Sequence, residues 1–89
     1  MATMFVRHTV ADYAAWRRTF DAFAPNQEAM GVTGKAVYQA DDDPNDITVT
    51  HDFATVEEAR AFAASPELKA AMHDAGVTSA PTIWFTNRT

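Results

Sequence analysis

Eighty-nine residues, 47% of them apolar and 11% aromatic with 21% charged, make one small globular domain spanning 1–89 and not a disordered segment. A net charge of −5 with no basic cluster beyond Arg17-Arg18 argues against nucleic acid and anionic membranes as partners, and the lack of cysteine excludes disulfides, thiolate metal sites and cysteine nucleophiles. No apolar run approaches the roughly 20 residues of a spanning helix, and Met1–Phe5 lacks the basic and apolar regions of a secretion signal. The expectation is therefore a cytoplasmic protein, small enough that a partner subunit would help its stability.

Thr3 to Val10 alternates Met4, Val6, His8 and Val10 with Thr3, Phe5, Arg7 and Thr9, the period of a first strand. Asp12 stands where a helix N-cap is wanted, and Tyr13, Trp16, Phe20 and Phe23 then recur at helical spacing. Strand thus hands directly to helix, and a small-molecule site is expected near that junction. Pro25 cannot donate to the Asp21 carbonyl, which predicts a break around Ala24, and Gly31 is placed to end the last turn.

Gly34 to Ala40 reads as the second strand, with Ala36, Tyr38 and Ala40 on one face and Lys35, Val37 and Gln39 on the other. Asp41 to Asp46 is dense in turn formers, and Ile47 to Phe53 alternates again, which predicts a hairpin with a long acidic loop. Thr55 and Glu58 form a T-x-x-E capping box for a second helix. Ser65-Pro66 interrupts that helix and restarts it, and Gly76 stops it. Thr82 to Thr86 is a last strand of strong β formers.

The order β-α-β-β-α-β leads to a four-stranded antiparallel sheet with both helices on one face, the ferredoxin-like α+β arrangement. The other face would carry Phe5, Thr48, Thr50 and Trp84, too aromatic to leave in water, so a second copy packed sheet to sheet is expected.

The run His8-Thr9-Val10-Ala11-Asp12-Tyr13-Ala14-Ala15-Trp16 and the run Ser65-Pro66-Glu67-Leu68-Lys69-Ala70-Ala71-Met72, with Ala75-Gly76-Val77 and Pro81-Thr82-Ile83-Trp84-Phe85, make the chain resemble the dimeric α+β barrel proteins. Within them it is most similar to small antibiotic-biosynthesis-monooxygenase-like proteins, some labelled as cyclases. The resemblance spans almost the whole chain and implies a homodimer. The superfamily hosts unrelated chemistries on one scaffold, among them cofactor-free oxygenases of phenolic polyketides, haem-degrading enzymes and isomerases. It implies no catalytic residue for this branch.

His8 and His51 are the candidate catalytic residues, since strand parity puts both on the helix-facing side of adjacent central strands. The alternative for each is a core histidine satisfied by a backbone carbonyl. Tyr13, Trp16 and Met72 are the candidate substrate-binding residues, against the alternative that aromatics at helical spacing are simply core. His73 falls off the apolar stripe and reads as a surface residue.

Asp41, Asp43 and Asn45 imitate the start of an EF-hand loop, but Asp46 replaces its glycine and strands replace its helices, so no calcium site is expected. The histidine spacings give no metal site, and three glycines give no phosphate loop, so no metal and no cofactor is expected. The reading is a homodimeric, cofactor-independent enzyme of the monooxygenase or cyclase kind, acting on a hydrophobic, aromatic small molecule. Two alternatives stay open: a non-catalytic binding or stress-response protein, and a structural dimerisation domain.

Overall fold

The computed structural model describes all residues 1–89. In chain order the elements are β1 (Ala2–Thr9), α1 (Tyr13–Ala22), α2 (Ala24–Ala29), β2 (Gly34–Ala40), β3 (Asp43–Phe53), α3 (Val56–Ala63), α4 (Pro66–Asp74) and β4 (Thr82–Asn87). The strands form one antiparallel sheet in the order β2-β3-β1-β4. This is the ferredoxin-like topology, with β1 and β3 central and the helices over one face. None of the helices is long and apolar enough to cross a membrane.

The local signals act as their chemistry requires. Asp12 Oδ2 accepts from Ala15 N at 2.9 Å, and Thr55 Oγ1 accepts from Glu58 N at 3.3 Å, so both helix starts have capped donors. The chain breaks at Phe23, where α1 ends and Pro25 enters the first turn of α2. Ser65 Oγ accepts from Leu68 N at 3.2 Å while donating to Phe62 O at 2.8 Å, which joins the end of α3 to the start of α4. Gly31 ends α2 with φ +100°, where a Cβ would also meet the Glu58 carboxylate.

The hairpin differs from the expected long loop. β3 begins at Asp43, four residues before Ile47, and the link to β2 shrinks to Asp41-Asp42. The register jumps between Gln39, which faces Ile47, and Ala40, which faces Asp43. Pro44 falls within that irregularity, where a residue with no N–H is tolerated. Asn45 turns the extension to use: its carbonyl accepts from Val10 N and its Oδ1 accepts from Tyr13 N. The turn-forming composition of this segment thus serves a bulge that anchors the strand-to-helix junction.

Two apolar clusters fill the space between sheet and helices. One gathers Met4, Val6, Phe53, Ala59, Phe62 and Leu68 under α3 and the start of α4. The other gathers Val10, Trp16, Phe20, Ile47, Val49 and Ala75 under α1 and the end of α4. Met4, Ile47, Phe53 and Phe62 are wholly buried, each contributing about 2 kcal/mol of burial free energy. The clusters do not merge into one core, and the seam between them holds the histidines.

Candidate functional site

Period-two alternation puts His8 and His51 on the covered face of the two central strands, and both are buried, at 5% and 3% exposure. They are not opposite one another. His8 pairs with Ile47 and His51 with Met4, so four residues, about 13 Å of strand, separate their positions along the sheet. The space between them is a pocket lined by Val6, Val49, Trp16, Phe20, Met72 and Gln27 among others. A row of rings runs along it: His8 meets Trp16 edge-on at 6.0 Å, Trp16 stacks on Phe20 at 4.9 Å, and Phe20 stands 6.3 Å from His51.

Both histidines are neutral near pH 7. Burial lowers the His8 pKa, with Asp46 opposing it. Burial likewise lowers that of His51, the Lys35 cation adds to the effect against Asp52, and the value falls to about 4. Neither ring nitrogen of His8 has a hydrogen-bond partner in the protein, nor has Nδ1 of His51. Three buried polar atoms are thus unpaired, a state proteins normally avoid because each costs on the order of 1–3 kcal/mol. An apolar pocket lined by two neutral histidines with unmatched nitrogens suits a ligand that carries polar groups on an apolar body.

His51 Nε2, by contrast, is engaged. Lys35 Nζ donates to Gln27 Oε1 at 2.7 Å, and Gln27 Nε2 lies 3.3 Å from His51 Nε2. Gln27 is 1% exposed and arrives from α2, while Lys35 faces His51 across the β2–β3 pairing. Sequence reading did not single out either residue for the site. A glutamine two residues after a helix-breaking proline carries no periodic signal, and the register that sets Lys35 beside His51 is a long-range property.

Of the residues expected to bind substrate, Trp16 and Met72 line the pocket and Tyr13 does not. Tyr13 stands behind Trp16, ring centroids 6.0 Å apart, and packs against the Val10 cluster. Its helical spacing places it on the same stripe as Trp16, but at the first turn, beyond the end of the pocket. His73 is exposed on α4. No group of three or more histidine or carboxylate side chains is arranged to hold a metal ion.

The cavity is small as it stands, about 40 Å³, enough for a few waters. It is not sealed. Thr19, Phe23 and Ala71 line both the pocket and an adjoining surface groove of about 270 Å³ between α1, α2 and α4. The cavity alone is well below the roughly 300 Å³ of the smallest ligand sites, so a ligand there would have to part these shared side chains toward the groove. Glu67 and Asp74 flank the groove, so the mouth disfavours anions.

No family model matches the chain, and no curated protein is similar to it in sequence. Solved structures are similar in fold. A Bordetella bronchiseptica protein assigned as an antibiotic biosynthesis monooxygenase aligns with a TM-score of 0.84 at 15% identity, covering 99% of this chain and 96% of that one. One from Nitrosomonas europaea, assigned likewise, aligns with a TM-score of 0.76 at 13% identity, covering 99% and 98%. SnoaB, a cofactor-independent oxygenase from Streptomyces nogalater, aligns with a TM-score of 0.74 at 18% identity, covering 99% and 94%. The coverage is nearly complete in both directions, so the match concerns the whole domain and not a shared motif. The chain has the fold of the antibiotic-biosynthesis-monooxygenase-like proteins.

Proposed function

We propose that this protein is a homodimeric, cofactor-independent oxygenase of aromatic small molecules, with His8 as the base and the pocket between sheet and helices as its site. The observation that carries the reading is that two neutral, buried histidines, with three ring nitrogens left unpaired between them, line one apolar pocket. The fold shared with SnoaB supports the choice of reaction class, and the lack of cysteine fits a cytoplasmic setting.

The chemistry follows from what a neutral imidazole can do. His8 has a free lone pair on one nitrogen and takes the O–H proton of a bound phenol. The electron-rich phenolate then forms a C–O bond to dioxygen at the ring carbon para to its oxygen, and the proton held by His8 completes the hydroperoxide. Cleavage of its O–O bond, with loss of the ring hydrogen, releases water and leaves a quinone. For 1-naphthol the balance is 1-naphthol plus dioxygen giving 1,4-naphthoquinone plus water. The substrate supplies all four electrons.

Uptake of dioxygen by the protein with naphthol, with quinone formed mole for mole, is the expected result. His8→Gln keeps the shape but no basic nitrogen and should lower turnover about a hundredfold or more while binding persists. Unchanged turnover in that variant contradicts the role given to His8. A second reading, favoured by the small volume of the cavity, is a non-catalytic protein that binds the same class of molecule. Saturable naphthol binding with no oxygen uptake would decide for it.

A further inference from the structure

We infer that Lys35 and Gln27 form a relay that fixes His51 in one tautomer, so that its Nδ1–H is a hydrogen-bond donor reserved for an oxygen acceptor on the ligand. The ammonium of Lys35 has only donors. The amide group facing it at 2.7 Å must therefore be the carbonyl, Gln27 Oε1. That choice turns the amide NH₂ of Gln27 toward His51 at 3.3 Å. An NH₂ also only donates, so the facing nitrogen of His51 has to accept. Nε2 carries the lone pair and the single proton of the neutral ring sits on Nδ1. The opposite tautomer would set two donors face to face inside the protein.

The consequence lies on the other side of the ring. Nδ1 is buried and has no partner in the protein, and it is now assigned as N–H. A carbonyl, quinone or phenolate oxygen satisfies it, whereas a hydroxyl can do so only through its oxygen. The two histidines are therefore not interchangeable. His8, free at both nitrogens, can donate at one and accept at the other, and His51 only donates to the ligand. Lys35 and Gln27 are positioning residues, acting on the ligand through His51. This deepens the function proposed above, because it specifies the ligand as an aromatic ketone, quinone or phenol whose oxygen acceptor lies at the His51 end of the pocket. The tautomer itself does not depend on that reading.

Two-bond nitrogen–proton correlation spectra of the histidine rings test it in the unliganded protein. Wild type should show His51 protonated at Nδ1 and bare at Nε2 at neutral pH. Gln27→Glu is isosteric but only accepts, taking one bond from Lys35 and one from His51, and should move the proton to Nε2. Lys35→Met alters an exposed residue of an edge strand and should release the amide, giving a mixture of tautomers. A wild-type His51 protonated at Nε2 overturns the inference, whatever the variants do.

The ligand half is read with indanone, a flat ketone with no donor, against indane, the same skeleton with no acceptor. Wild type should bind indanone about tenfold or more tightly than indane, and Gln27→Glu should lose that preference. Equal affinities in wild type overturn the claim that Nδ1–H receives an acceptor. Binding of neither probe, with the tautomer as assigned, counts against the oxygenase reading and leaves the relay standing.

Discussion

At the scale of single residues, His51 links the site to stability. Its folded pKa, about 4, lies below the ordinary 6.5 of an exposed imidazole. Between those values the unfolded chain binds more protons than the folded one, so stability is full above about pH 6.5 and is lost as pH falls toward 4. The amount is roughly 3 kcal/mol for His51, and His8, shifted the same way, adds to it. Urea unfolding near pH 7 and near pH 5 should show that decline. His51→Gln, which cannot titrate, should lose most of the slope; an equal slope in the variant would place its origin elsewhere. The histidines themselves were legible from strand parity, since alternation with Met4, Val6 and Val49 fixes the face they share. Gln27 and Lys35 were not, because what makes them part of the site is one α2–β3 contact and one cross-strand pairing.

At the scale of elements, the two halves of the split helix test whether capping is worth what its geometry suggests. Ser65 is buried and makes two bonds, one to each of α3 and α4. Ser65→Ala should cost about 1–2 kcal/mol, at the top of the range for a cap. Thr55 is exposed, and Thr55→Ala should cost about 0.5–1 kcal/mol. Denaturation midpoints of the two variants give the comparison, and the reverse order would mean that the α3–α4 corner is held by packing alone. Element types and order were readable because caps, proline and glycine are local signals that tertiary structure did not override. The hairpin was misread for the same reason: Asp41 to Asp46 carries turn residues, but Asn45 bonds to Val10 and Tyr13, partners more than thirty residues away that no local pattern announces.

At the scale of the whole molecule, the sheet has one covered and one bare face. Phe5 and Trp84 stack on the bare face at 5.1 Å and are nearly parallel, and Trp84 and Tyr38 are 40% and 57% exposed. Pairing with a second copy through this face would remove them from water. Phe5→Glu should then yield a monomer or an aggregate by light scattering at micromolar concentration, while the charge reversal Asp41→Lys in the exposed hairpin link should change nothing. A wild-type monomer would contradict the dimer. The covered face holds the central claim, that the unpaired nitrogens of His8 and His51 face a ligand site and are not core atoms left unsatisfied. The most direct measurement is a naphthol titration followed by the ring resonances of all three histidines. His8 and His51 should shift together and saturate at one ligand per chain, with exposed His73 unmoved. Shifts confined to His73, or none at saturating naphthol, would contradict the account.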